Sequence, residues 1–181
     1  MSDFAQRDWR IMQVDVATAV AYSTSAVVSA LCDEDFITFV TAKTGATVTH
    51  ITTTSQTNGA ATVVVRRNLP TTVIPAQARA FVGSNLELRE VDAWAEPMQG
   101  ADGPRYGTIA IEVAGVPAHA SGHVRVLPTE GGCNLRYDLT VRATVPLFGA
   151  VIERQVADGV RTAVDALCAA LEEWLKSRSG E

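Results

Sequence analysis

The chain has 181 residues, 47% of them hydrophobic and 19% charged. That length suits one domain with a radius of ~16 Å, and that balance supplies a sizeable core and excludes intrinsic disorder. Lys plus Arg number 15 and Asp plus Glu 20, a net charge of −5, so the chain lacks the basic surface that nucleic acid or anionic lipid would require.

Residues 1–10, MSDFAQRDWR, show no periodicity and no apolar signal core, and read as a loose arm. A single domain is expected over residues 11–177, with 178–181 as a tail. From Ile11 to Tyr22 the apolar Met12, Val14, Val16 and Val20 share one parity, against Gln13 and Asp15, which predicts a half-buried strand. Ser23-Thr24-Ser25 offers hydroxyls to cap a short helix carrying Val27, Val28, Leu31 and Cys32. A second helix follows Asp33, with Phe36, Ile37, Phe39 and Val40 on its apolar side and Gly45 as its stop.

Two β-branched runs, Ala46–Thr54 and Ala60–Arg67, flank Asn58-Gly59, a strong hairpin signal. Pro75 opens a short helical segment ending before Gly83. Further strands are expected at Leu86–Glu96, Tyr106–Ala114, His119–Leu127 and Asn134–Val145, joined by Pro/Gly turns. After Gly149, Ile152, Val156, Val160, Val164, Leu167, Leu171 and Trp174 recur at helical spacing. A helix of about 28 residues spans ~42 Å, longer than the domain radius, so it must cross the molecule. Tight turns between consecutive strands imply an antiparallel sheet, an α+β domain with its helices on one face.

This order resembles the helix-grip fold of the START-like (SRPBCC) superfamily, a curved antiparallel sheet wrapped around a long C-terminal helix, with two short helices after the first strand. It resembles more closely an actinobacterial family of that superfamily which has no established activity. The residues that carry the likeness are Pro146-Leu147-Phe148-Gly149 with Ile152-Glu153, the strand Leu86–Trp94, and the segment Pro75–Val82. The likeness covers about Met12 to Trp174 and rests on the order of elements more than on any motif. It implies a cavity between sheet and helix.

Ligand-binding candidates on the inner face are Ile109, Ile111, Ala120, Gly122, Tyr137, Leu139 and Val141, with Val156, Val160 and Val164 from the helix. Small residues at Ala120 and Gly122 are expected to border open space; Gly122 reads equally as a bulge or a close approach. Pro75–Val82 is expected to act as a lid.

Other chemistry is thinly represented. His119 and His123 lie four apart, but on a strand that is about 13 Å, and no third ligand is near, so no metal is expected. No GxSxG elbow and no glycine-rich phosphate loop occurs, so no catalytic residue and no cofactor is assigned. Cys32, Cys133 and Cys168 have no CxxC spacing and read as reduced core residues of a cytoplasmic protein. Glu90 and Asp92 share a parity with Leu86, Leu88 and Trp94. Either a bulge near Glu90 turns them to solvent, or they face the interior as acid or anchor.

The leading expectation is a protein that binds a small hydrophobic or amphipathic ligand, lipid or polyketide-like, without stable membrane insertion. A cyclase or dehydratase on a similar ligand, and a protein-interaction module with no ligand, are the alternatives. Homo-oligomerisation is left open.

Overall fold

The computed structural model describes residues 12–70, 86–144 and 149–179. Strand β1 (Met12–Val20) leads to helices α1 (Thr24–Leu31) and α2 (Glu34–Lys43). The hydroxyl of Ser23 accepts the Ala26 amide at 3.3 Å, and Asp33 Oδ1 accepts the amides of Asp35 and Phe36 at 2.9 and 3.2 Å. Both caps are the residue types that satisfy the free amides of a first helical turn. Strands β2 (Thr47–Ser55) and β3 (Ala61–Leu69) form the expected hairpin, and Gly59 takes the positive φ of 87° that its turn requires. Strands β4 (Leu86–Trp94), β5 (Arg105–Val113), β6 (Ala118–Thr129) and β7 (Gly132–Ala143) precede helix α3 (Gly149–Arg178). Element boundaries fall within a few residues of those the periodicity gives. The helical segment expected at Pro75–Val82 lies outside the described residues.

All seven strands form one sheet in the order β1-β7-β6-β5-β4-β3-β2, antiparallel throughout. From β2 to β7 each strand pairs with the next one in the chain. Only the β1–β7 pairing, from Met12↔Val141 to Val20↔Cys133, joins distant segments. The result is the expected α+β arrangement, a sheet with a long C-terminal helix.

The long helix does not bury its stripe evenly. In its C-terminal half Val164, Cys168, Ala170 and Leu171 are buried and Leu167 and Trp174 half-buried; in its N-terminal half Ala157 is buried, whereas Ile152, Val156 and Val160 are half-buried. The C-terminal end is pinned by α2. Trp174 lies 5.7 Å from Phe36 and 5.4 Å from Phe39 between ring centroids, and Lys43 Nζ meets Glu173 at 2.7 Å. The helix takes in Arg178, which the sequence reading assigns to the tail, because its guanidinium stacks 4.4 Å above Trp174. The helix packs mainly on β1 and β7 and only lightly on β6. The inner faces of β4 and β5 therefore lie beyond its close grip.

Ala120 and Gly122 do not border that open part. Ala120 is 1% exposed, already in contact on all sides. A Cβ on Gly122 would run into the Asp138 carbonyl oxygen and the Cα of Leu139, so glycine is required there by the close approach of β7. Of the two readings of Gly122, close approach is the one its surroundings support. We expect Ala120→Phe to cost ~1–3 kcal/mol in chemical denaturation, the usual penalty for overfilling a packed site. Leu171, at 0% exposure, is the residue on which the helix seats. Leu171→Ala is expected to cost ~2–5 kcal/mol; a cost under ~1 kcal/mol would mean that α3 is peripheral.

Candidate functional site

Register decides where the acidic residues of β4 point. Pairing runs unbroken from Leu69↔Leu86 to Ala61↔Trp94 on one side and from Leu88↔Val113 to Trp94↔Gly107 on the other. No bulge intervenes near Glu90, so that explanation is corrected. Glu90 lies level with Val65 and Ile111, and Asp92 with Val63 and Ile109, all on the inner face.

Glu90 is held by Arg67 of β3. The two form a bidentate pair, Nη1 to Oε2 at 2.7 Å and Nη2 to Oε1 at 3.2 Å, with side chains 16% and 17% exposed. Arg67 Nε donates to the Thr41 hydroxyl of α2 at 3.0 Å. All three guanidinium nitrogens are thus engaged. Burial works to lower the Arg67 pKa, but the charge and hydrogen bonds of Glu90, with Asp92 and Tyr137, together outweigh it and hold the pKa above the ordinary value.

Asp92 has no cationic fork of this kind, and its side-chain hydrogen bond is to Glu90. Its Oδ1 is enclosed and accepts no hydrogen bond from the described residues. Desolvation raises its pKa well above the ordinary carboxyl value, and the adjacent Glu90 charge raises it further, with Arg67 only partly compensating. Two further groups feel this carboxyl. Burial, then Asp92 and Glu90, raise the Tyr137 phenol well above its ordinary value. Burial, then Asp92, push the Cys32 thiol up to about 11, so it is a protonated thiol at neutral pH and a poor nucleophile.

The surroundings are apolar. Ile109 is buried beside Asp92, while Ile111 and Leu88 are half-buried, as are Val156 and Val160 on α3. Of the sequence-predicted residues, Ile111, Val156 and Val160 are thus half-buried and packed against the core, and Ile109 is buried in it. Leu139 and Val141 are fully buried core beside β1, Val164 is buried in the helix seat, and Tyr137 is buried. Sequence reasoning passes over Arg67 as half of a dibasic step. Its parity with Val63 and Val65 is the available signal that it points inward. Arg105, buried and donating to the Gly59 carbonyl at 3.0 Å, likewise escapes a reading by period, which sees only a strand flank.

The outer face is different in kind. His119 and His123 are exposed there, and His50 is exposed on β2, 2.9 Å from the Thr52 hydroxyl. A hollow of about 460 Å³ opens between Arg66, Glu87, Arg89 and Glu112 and the Val113–Ala118 turn, but its charges pair among themselves at 3.8 and 3.5 Å. It has no enclosed polar group to orient a ligand. Among the described residues no group of three or more His, Cys, Asp or Glu is arranged to hold a metal, and no helix is long and apolar enough to cross a membrane.

A pH dependence follows from Asp92. Its folded-state pKa is raised, so below its unfolded value of about 3.8 it contributes no penalty, and stability is lost as pH climbs from there through the folded pKa. Asp92→Asn removes that loss. The variant is expected to melt above the wild type at pH 7, and the gain should shrink toward nothing as pH falls to about 4. A gain independent of pH, or a loss at pH 7 alone, would contradict a raised folded-state pKa.

A search of curated proteins finds no match. Solved structures do match over nearly the whole chain. The protein TTHA0849 of Thermus thermophilus is 15% identical, with TM-score 0.61, covering 93% of this chain and 99% of its own. Human STARD10 is 11% identical, with TM-score 0.60 over 97% of this chain and 69% of its own. A START superfamily protein from Mycobacterium smegmatis is 13% identical, with TM-score 0.52 over 91% and 97%. At such identities the likeness is one of fold, and that fold is START-like. The family model described as "Protein of unknown function (DUF2505)" matches residues 15–175, and the chain belongs to that family.

Proposed function

We propose that the protein binds a small hydrophobic or amphipathic molecule, lipid or polyketide-like, between the inner face of β4–β5 and the N-terminal half of α3. The observation that carries this reading is the uneven grip of the helix. Where α3 seats, Val14, Val20, Leu139 and Val141 are buried, with Val16 and Leu167 half-buried at its margin; beyond it, Leu88, Ile111, Val156 and Val160 stay half-buried beside the Arg67–Glu90 pair. Apolar walls with a few convergent polar groups are the usual composition of small-molecule sites. The START-like fold of the neighbours supports the same reading. We place the protein in the cytoplasm of an actinobacterium, as the resemblance implies, with Ile109, Ile111, Val156 and Val160 as its contact residues.

A second reading has one specific observation in its favour. Asp92, its pKa raised well above the ordinary carboxyl value by burial and by the neighbouring Glu90, is suited to donate a proton beside a charged neighbour, the arrangement a dehydratase or cyclase would use. Binding is preferred because Asp92 Oδ1 is enclosed and the Glu90 carboxylate is already held by both Nη atoms of Arg67.

The test is uptake of the uncharged fluorophore N-phenyl-1-naphthylamine. The wild type is expected to enhance its emission saturably. Val160→Trp should abolish the enhancement while costing less than about 1 kcal/mol in stability, since a large side chain entering open space gains contacts. No saturable uptake by the wild type would sink the ligand-binding reading and favour a protein-interaction role.

A further inference from the structure

The two edges of the sheet are guarded differently. At one edge β1 carries Asp15, which pairs with Arg136 at 2.6 Å, and α3 packs against that strand. At the other edge β2, with the sequence TVTHITTTS, has no Lys, Arg, Asp, Glu or Pro. Charged side chains and proline are the usual protection of an edge strand. The register of β2 shifts between Val48 and His50, near its start, and from there runs unbroken from His50↔Arg66 to Ser55↔Ala61. Among the described residues β3 is the only strand beside it. The hairpin shows which backbone groups are left over. Gln56 N donates to Ala60 O at 2.8 Å, and bonded and non-bonded pairs alternate along an antiparallel ladder. Counting back from Gln56, the residues Thr54, Thr52 and His50 turn their amides and carbonyls to β3. Ser55, Thr53 and Ile51 turn theirs to the open edge.

We infer that two copies of this chain pair through β2, antiparallel and two-fold symmetric about Thr53. This goes beyond the ligand-binding reading and does not rest on it. A two-fold interface must be complementary to itself, and β2 meets that condition residue by residue. With Thr53 opposite its own counterpart, Ile51 lies opposite Ser55 of the second copy, and Ser55 opposite Ile51. Each of these pairs exchanges both main-chain hydrogen bonds, so every outward amide and carbonyl from Ile51 to Ser55 is used. On the exposed face Thr52 meets Thr54 of the second copy, a threonine pair of the kind that favours cross-strand contact. Between Ile51 and Ser55 no charge meets a like charge. Pairing along one strand makes a small interface, so the dimer is expected to dissociate in the micromolar range.

The experiment is sedimentation velocity of the full chain from about 1 to 300 µM, a span that brackets a micromolar Kd. The wild type is expected to pass from monomer to dimer across it. Thr52→Lys with Thr54→Lys sets lysine against lysine across the two-fold and should raise the dimer Kd at least about tenfold. Thr52→Glu with Thr54→Glu should do the same, and an equimolar mixture of the two variants should restore a dimer. Thr108→Lys, exposed on β5 away from the edge, should leave the wild-type Kd unchanged. Amide exchange followed by NMR on the wild type needs no variant. Ile51, Thr53 and Ser55 should gain protection as concentration rises, whereas Thr52 and Thr54, already bonded to β3, should be protected throughout. A wild type that stays monomeric, its edge then free for an extended segment of another protein, overturns the inference. A dimer that persists unchanged in both charged variants, or one that forms without added protection at Ile51, Thr53 and Ser55, overturns it as well, because the interface then lies elsewhere.

Discussion

An unbroken register through β3, β4 and β5 is the constraint on which the interior depends. A strand with period 2 and no bulge cannot choose which of its alternate residues face inward. Leu86 and Trp94 are buried at the two ends of β4, and they commit Glu90 and Asp92 to the same face. Arg67 is committed in the same way by Val63 and Val65. Two carboxyls and a guanidinium are thus brought inside by their apolar neighbours. The inner face of β4 is charged because the two ends of the same strand must be dry.

That commitment has an energetic shape. The bidentate Arg67–Glu90 pair, extended to Thr41, satisfies its members, and removing one partner would strand the other. Asp92 is left over. Burial and the Glu90 charge raise its pKa well above the ordinary carboxyl value, which costs stability as pH rises. Natural sequences often carry such local costs at functional positions. The helix tolerates this arrangement because its firm contacts are elsewhere, on β1 and β7, and its C-terminal end is fixed by Trp174 between Phe36, Phe39 and Arg178.

Most of the architecture is legible in the sequence, for physical reasons that differ by element. The strand β7 alternates without a break from Leu135 to Ala143, and the stripe of α3 repeats at helical spacing, so both announce themselves. The caps at Ser23 and Asp33 are local chemistry and are equally plain. The site is less legible. Period alone predicts an inward Glu90 and Asp92, but charge argues for a bulge, and nothing local arbitrates between them. The arbiter is Arg67, on another strand, brought level with Leu88 by pairing. Ala120 and Gly122 fail as markers of space for a related reason. A small residue signals either a void or a near neighbour, and only the position of β7 tells which.

The pairing of β1 with β7 has a kinetic consequence. Met12 and Val141 are neighbours in the sheet although almost the whole chain separates them. The strand made first must wait for the strand made last, and α3, which rests on both, must wait as well. Until then Val14, Val16 and Val20 have no sheet to join and no helix to cover them. Contacts of such long sequence separation slow folding, because the entropy of closing the loop is lost before any pairing offsets it. A ribosome-bound chain that has not yet released its last strand therefore exposes an apolar edge, and it is at that stage, more than in the finished molecule, that this protein is open to misassembly.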